Sequence, residues 1–171
     1  MVAADIVVLR VAGDGLEALL VKRGREPFKG RWVFPGGFME IGERLADAAS
    51  RELHEETGLK DVMLEPFGVF DAPDRDPRGR VISAGYIGLV CDKEVVAGGD
   101  DAAEARWFPA SAMPDLAFDH EIVLETALEW LSARLGVDTE EPACFLTMTS
   151  EEQSALRRWL AETMRPRRTA S

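Results

Sequence analysis

Hydrophobic positions along the chain fall into two periods. Residues 4–12 (IVVLRVA within them) and 17–23 (EALLVKR) are β-branched or leucine-rich runs split by Gly13-Asp14-Gly15. That is the pattern of a β-hairpin whose turn needs residues tolerant of positive φ. A polar stretch, Arg23 to Gly30, separates it from a short strand at Trp32-Val33-Phe34, which runs into a tight loop at Pro35-Gly36-Gly37. Further strands are expected at 62–70, at 81–91 (VISAGYIGLVC, apolar enough to be covered on both faces) and at 104–109, ending at a proline. Helical spacing takes over in three places. Over 44–57, Ala46, Ala49, Leu53 and Thr57 share an inward face, and Gly58 stands where a helix stops. Over 118–135, Ile122, Leu124, Leu128, Trp130 and Leu131 form an apolar stripe, which packed on the strands gives a helix–sheet–helix sandwich. A third helix follows Leu146. Ser150 and Gln153 are spaced as a capping box, Arg157, Arg158 and Arg165 suit the far end of the dipole, and Trp159 and Leu160 supply something to bury. The chain thus divides into a domain over 1–136 and a helical extension over 137–171 packed on it, with a frayed tail.

Composition narrows the class. With 171 residues, 46% hydrophobic and 30% charged, the chain can bury a core without covalent staples. Its formal charge of −11 argues against nucleic acid as a partner, because a polyanion is held by Lys and Arg neutralising its phosphates. A small nucleotide is less constrained, since a metal ion can bring the positive charge with it. Cys91 and Cys144 have no ligand spacing and read as buried free thiols. No run approaches the ~20 apolar residues of a membrane helix, and the start MVAADIVVLRV lacks a basic leader. The expectation is a cytoplasmic protein with no membrane partner.

The chemistry concentrates between Gly36 and Leu59. Glu52, Glu55 and Glu56 stand at i, i+3 and i+4, so their carboxylates leave one helix face about a turn apart. Acid runs of this kind are usually solvated surface. Three features set this one apart: Arg51 lies beside the cluster, where it can orient a carboxylate; the helix is entered through glycines that let backbone approach closely; and Glu40 and Glu43 add acids on the entering loop. Mutually repelling carboxylates are relieved by a hard divalent cation, which takes oxygen ligands.

Gly37, five residues, Glu43, seven residues, then Arg51-Glu52-Leu53-His54-Glu55-Glu56-Thr57-Gly58-Leu59 resembles the signature of the Nudix hydrolase family at every fixed position. The resemblance implies an α+β Nudix fold, a mixed β-sheet sandwiched between α-helices. It implies Mg²⁺ (or Mn²⁺) bound against the diphosphate of a nucleoside diphosphate linked to a group X. Residue by residue, it assigns metal ligation to Glu52, Glu55 and Glu56, with Gly37 counted in the metal site. Arg51 would orient the carboxylates, Glu43 would buttress the loop, and Glu55 or Glu56 would serve as general base. Arg44 departs from the pattern, since many members carry Ser or Thr there as a helix cap.

X is read outside the signature. The segments Arg75–Ser83, Ala105–Pro109 and above all Leu116-Ala-Phe-Asp-His120 are similar to one Nudix branch. It holds ADP-ribose pyrophosphatases, some fused to an NMN adenylyltransferase, and transcription regulators that sense ADP-ribose. The favoured reaction is therefore ADP-ribose to AMP and ribose 5-phosphate, in a homodimer as is common in the branch. Several residues keep two readings. Arg75, Arg78 and Arg80 either belong to an ordinary charged loop or reach phosphate or ribose oxygens. Trp32, Phe34 and Phe38 either stack on a purine or fill the core. His120 with Asp119 either faces an anion at a helix start, or Asp119 caps the helix beside a surface His120. Glu104 is either a further acid of the site or a solvent-facing strand residue. The competing functions are an ADP-ribose sensor without catalysis and a pyrophosphatase for an oxidised nucleoside triphosphate. The intact signature favours an enzyme over a sensor, and the 35 residues after 136 are too few for a winged-helix domain.

Overall fold

The computed structural model describes residues 1–13, 15–90, 102–136 and 148–164. The thiols of Cys91 and Cys144, the loop around Gly98–Asp101, Arg165 and the tail lie outside the described residues. Strands β1 (Val2–Ala12), β2 (Gly15–Arg23), β3 (Trp32–Val33), β4 (Gly36–Phe38), β5 (Leu64–Phe70), β6 (Ile82–Val90) and β7 (Ala102–Pro109) build one mixed sheet. Its main order is β3-β2-β1-β6-β5, with β4 added to β1 and β7 to β2. Helices α1 (Leu45–Thr57), α2 (His120–Gly136) and α3 (Ser150–Thr163) cover it.

The central strand shows why both faces are apolar. β1 runs parallel to β6 from Val2↔Ile82 to Arg10↔Val90, and alternation sends its side chains two ways. Val7, Leu9 and Val11 enter the larger core with Val123, Leu131 and Leu156 of α2 and α3. Ala4, Ile6 and Val8 enter the other with Ala49 and Leu53 of α1. Burial on both faces is what a continuous apolar run requires. Because Ala155, Leu156 and Leu160 sit in the larger core, α3 covers the sheet as an integral layer.

One departure from a regular sheet creates the site. β1 pairs with β2 only over Leu9–Ala12, while over Ala3–Asp5 the same edge pairs with β4. β2 likewise leaves β1 and takes β3 at Val21↔Val33 and Lys22↔Trp32. The two strands splay, and residues 32–38 fill the wedge. Pro35 carbonyl accepts from Ile6 N–H at 2.8 Å, and Ala117 N–H donates to Trp32 carbonyl at 3.0 Å, which draws the segment before α2 alongside.

Four sequence expectations change in detail. Pro35-Gly36-Gly37 is not simply a loop, since Gly36 and Gly37 open β4 against Asp5 and Ala4. Ala46 faces solvent, and Ala48 takes the inward place beside Ala49, Leu53 and Thr57. Ile122 is 57% exposed, while Val123 and Ala127 complete the α2 stripe. The α3 capping box is shifted by one residue, to Thr149 and Glu152. Thr149 Oγ1 accepts from Glu152 N–H at 3.2 Å, and the Glu152 carboxylate accepts from Thr149 N–H at 2.7 Å. A cap that also brings an acid into the first turn satisfies two orphan donors and the helix dipole together. Among the described residues no helix is long and apolar enough to cross a membrane.

Candidate active site

α1 starts without a side-chain cap, since Arg44 makes no capping hydrogen bond. It ends at Gly58, whose φ of 76° is the left-handed stop and whose N–H reaches His54 carbonyl at 2.8 Å. Between these ends, packing of Ala49 and Leu53 fixes the helix roll. That roll turns Glu52, Glu55 and Glu56 into a cavity of about 760 Å³ beside the sheet wedge.

Arg51 organises the acids. Its Nε and Nη2 donate to the two oxygens of Glu43 at 2.8 and 2.9 Å. Its Nη1 donates to Glu52 at 2.8 Å and to Glu55 at 3.2 Å, and Nη2 also reaches Phe38 carbonyl at 3.2 Å. Glu43 accepts a further bond from Glu40 N–H at 2.9 Å. The Arg51 hydrogen bonds, followed by that backbone donor, lower the Glu43 carboxyl pKa to about 2. Bonds to Glu43 and then Glu52 push the Arg51 guanidinium upward. Glu52 goes the other way: burial raises its pKa, only partly offset by Arg51. A carboxylate held ionised against burial gains most from a cation.

Glu56 is fixed from the opposite side, accepting from Gly36 N–H at 3.0 Å. Gly37 faces Glu52 so closely that a Cβ there would lie 2.4 Å from the carboxylate carbon. Among the described residues no three His, Cys, Asp or Glu side chains enclose an ion by themselves. The donor chemistry nevertheless fits a hard cation with part of its shell left to water or substrate: Glu52, Glu55 and Glu56 line the cavity, and glycine backbone abuts them.

The other expected residues are sorted by the fold. Phe38, Arg78 and His120 line the cavity. Arg78 is anchored by Asp76, to which its Nη2 donates at 2.6 Å and its Nε at 3.0 Å. Burial opposes ionisation of Asp76, but the Arg78 bonds outweigh it and lower its pKa. Arg75 also lines the cavity, and there its Nε and Nη2 form a fork on Asp119 at 2.8 and 2.7 Å while Nη2 also holds Asp5 at 3.0 Å. Arg75 is thus a buried clamp between β1, its own loop and the start of α2.

Arg80 and Trp32 are not among the cavity-lining residues. Arg80 Nη1 donates to Asp71 carbonyl at 2.5 Å, and Trp32 packs edge-on against Phe108 with centroids 4.7 Å apart. Phe34 is core, stacked on His120 at 5.6 Å and 14°. His120 is no surface residue: it is 4% exposed, and its Nδ1 accepts from Phe34 N–H at 2.9 Å. Burial lowers its pKa, which keeps the ring neutral with its proton on Nε2, 3.7 Å from Asp5 Oδ1. Asp119 serves the Arg75 clamp with its side chain. Glu104 lies on β7 with Lys22 at 4.0 Å and Arg106 as partners, away from the cavity lining.

Arg23 and Phe118 are among the lining residues that were not anticipated as site residues. Asp5 was missed as well, although a lone acid inside an apolar strand is a signal for a buried pairing.

The NUDIX domain matches residues 1–131. The chain is 46% identical over 125 residues to the ADP-ribose pyrophosphatase of Methanocaldococcus jannaschii, a match covering 70% of this chain and 73% of that protein. The crystal structure of a MutT/nudix family protein from Enterococcus faecalis superposes with a TM-score of 0.82 at 27% identity, covering 94% of this chain and 73% of that one. The NUDIX domain of Shewanella oneidensis NrtR, crystallised with ADP-ribose, gives 0.70 at 30% identity, covering 75% and 86%.

The contact between Gly37 and Glu52 can be tested directly. Gly37→Ala should displace the Glu52 carboxylate and weaken Mn²⁺ binding by about 10–100-fold with the fold retained, the range seen when groups supporting a metal ligand are changed. Unchanged affinity in a Mn²⁺ titration would show that Glu52 does not need this backbone approach.

Proposed function

The chain belongs to the Nudix family, and we propose that it hydrolyses a nucleoside diphosphate linked to X, with ADP-ribose cut to AMP and ribose 5-phosphate. The carrying observation is the row Glu52, Glu55 and Glu56 facing one cavity that also presents Arg78 and Phe38. The substrate follows from likeness to the pyrophosphatase and to the domain crystallised with ADP-ribose.

Glu52, Glu55 and Glu56 would hold Mg²⁺, with Mn²⁺ as a substitute and Gly37 closing the metal site. Held there, such an ion would supply charge neutralisation at the non-bridging phosphate oxygens and a lowered pKa for the attacking water. The remaining work belongs to side chains. Arg51 keeps Glu52 and Glu55 in orientation, and Glu43 fixes Arg51. A water oxygen attacks phosphorus, Glu55 or Glu56 takes its proton, and the bridging oxygen leaves with the bonding electron pair. His120 positions: neutral and bonded to Phe34, it holds the start of α2 against the glycine loop. The enzyme is proposed to work in the cytoplasm as a homodimer; a monomer mass by light scattering at micromolar concentration would overturn the dimer.

Incubation with ADP-ribose and Mg²⁺ should give AMP and ribose 5-phosphate, resolved by chromatography. The Glu55→Gln, Glu56→Gln double variant should lose at least about 10²-fold in rate, the scale of a lost general base. Cleavage of another nucleoside diphosphate or an oxidised triphosphate instead would move the substrate and keep the chemistry. Binding of ADP-ribose with no cleavage would establish the sensor reading.

A further inference from the structure

Asp5 interrupts the apolar run of β1 between Ala4 and Ile6 and is buried with them. An acid in that place carries a desolvation cost unless it is paired. Its carboxylate has two neighbours: Arg75 Nη2 donates to Oδ2 at 3.0 Å, and His120 Nε2 stands 3.7 Å from Oδ1. Its backbone has a third, pairing with Gly36 of β4, while Ile6 N–H beside it donates to Pro35 carbonyl at 2.8 Å.

These contacts close a ring. From the Asp5 carboxylate the path runs to His120, whose Nδ1 accepts from Phe34 N–H at 2.9 Å, then along Phe34-Pro35-Gly36 and back to the Asp5 backbone. Gly36 lies so close to β1 that a Cβ on it would run into the Ala4 carbonyl, and its N–H donates to Glu56 at 3.0 Å. A second ring shares two members: Asp5 to Arg75, the Arg75 fork to Asp119, and Asp119 to its chain neighbour His120. Asp119 already supplies Arg75 with a carboxylate, so charge balance does not call for Asp5. Asp5 adds a negative charge facing the imidazole. Burial disfavours the charged form of His120, and Asp5 acts most strongly in the other direction, with Asp119 beside it and Arg75 and Arg23 opposing. A carboxylate facing Nε2–H orients the neutral ring and leaves Nδ1 as the acceptor.

We propose that Asp5 is a positioning residue for Glu56. Its carboxylate holds the His120 ring against Phe34 N–H, and Phe34-Pro35-Gly36 carries that restraint to the N–H that fixes Glu56. The inference rests on the hydrolase reading, in which Glu56 holds metal or takes the proton of water, and adds a residue that acts through the backbone. A catalytic group misplaced by about 1 Å can cost about 10²-fold in rate, so such a restraint has kinetic weight.

The test uses the full chain. Asp5→Asn keeps the shape of the side chain and removes its charge. Hydrogen exchange followed by nuclear magnetic resonance should show the Phe34 and Gly36 amides exchanging about tenfold faster or more, with the Ile87 amide of β6 unchanged, a local opening in place of general loosening. With ADP-ribose and Mg²⁺, kcat should fall about tenfold or more. In a Glu56→Gln background the same change should cost little further, because effects that pass through one group do not add. His120→Gln, which removes the acceptor at the Nδ1 position, should reproduce the faster exchange. His120→Asn, whose oxygen can stand in for Nδ1, should restore most of the protection. This pair keeps the idea testable if Asp5→Asn folds poorly. Gly36 exchange at the wild-type rate in both Asp5→Asn and His120→Gln, or an undiminished further loss in the Glu56→Gln background, overturns the proposal. The two readings fail separately. Cleavage of ADP-ribose indifferent to Asp5→Asn and His120→Gln removes the positioning role and keeps the hydrolase. Gly36 exchange that depends on Asp5, with no cleavage of any nucleoside diphosphate by wild type, keeps the restraint on Glu56 and removes the hydrolase.

Discussion

The site depends on the single guanidinium of Arg51. Three carboxylates and one backbone carbonyl converge on it, so the loop acid Glu43 and the helix acids Glu52 and Glu55 share one rigid counter-ion. The pairs are partly exposed, and ion pairs of that kind add little to stability. Their effect is geometric. The planar fork locks Glu43, Glu43 locks the Glu40 turn, and Glu56 closes the ring by accepting from Gly36. A loop and a helix that would otherwise repel each other through their acids become one preorganised surface.

Around that surface the fold supplies space and depth. The splaying of β1 from β2 opens the wedge, and the Asp5–Arg75–Asp119 network holds its floor. Burying two acids and a cation carries a desolvation cost that hydrophobic residues would avoid. The return is placement: Arg75 fixes the start of the 71–80 loop, and three residues later Arg78 reaches the cavity. Asp5 also faces His120, so the network and the neutral imidazole together tie α2 to the strand that precedes the glycine loop.

What could be read from sequence was what is local. Carboxylates at i, i+3 and i+4 share a face whatever surrounds them, so the common direction of Glu52, Glu55 and Glu56 was legible in the sequence. The strands were legible because apolar runs covered on both faces have few other solutions. Roles set by distant partners were not. Arg75 looks like Arg78 in the chain, yet it turns inward because Asp5 and Asp119, 70 and 44 residues away, meet it there. Arg23 reads as the first residue of a polar loop until Phe118 is placed beneath it. The shift of the α3 cap from Ser150 to Thr149 and the exposure of Ala46 and Ile122 are one-residue matters of helix start and roll, decided by packing on the sheet.

The most direct test of Arg51 as organiser is Mn²⁺ affinity of Arg51→Lys, followed by electron paramagnetic resonance titration. Lysine keeps the positive charge but lacks the fork that aligns several carboxylates at once. If geometry governs, Mn²⁺ binding weakens about tenfold or more although the net charge of the site is unchanged. If Arg51 were only a competing counter-ion, affinity would stay the same or rise, and the account of a preorganised metal surface would be wrong.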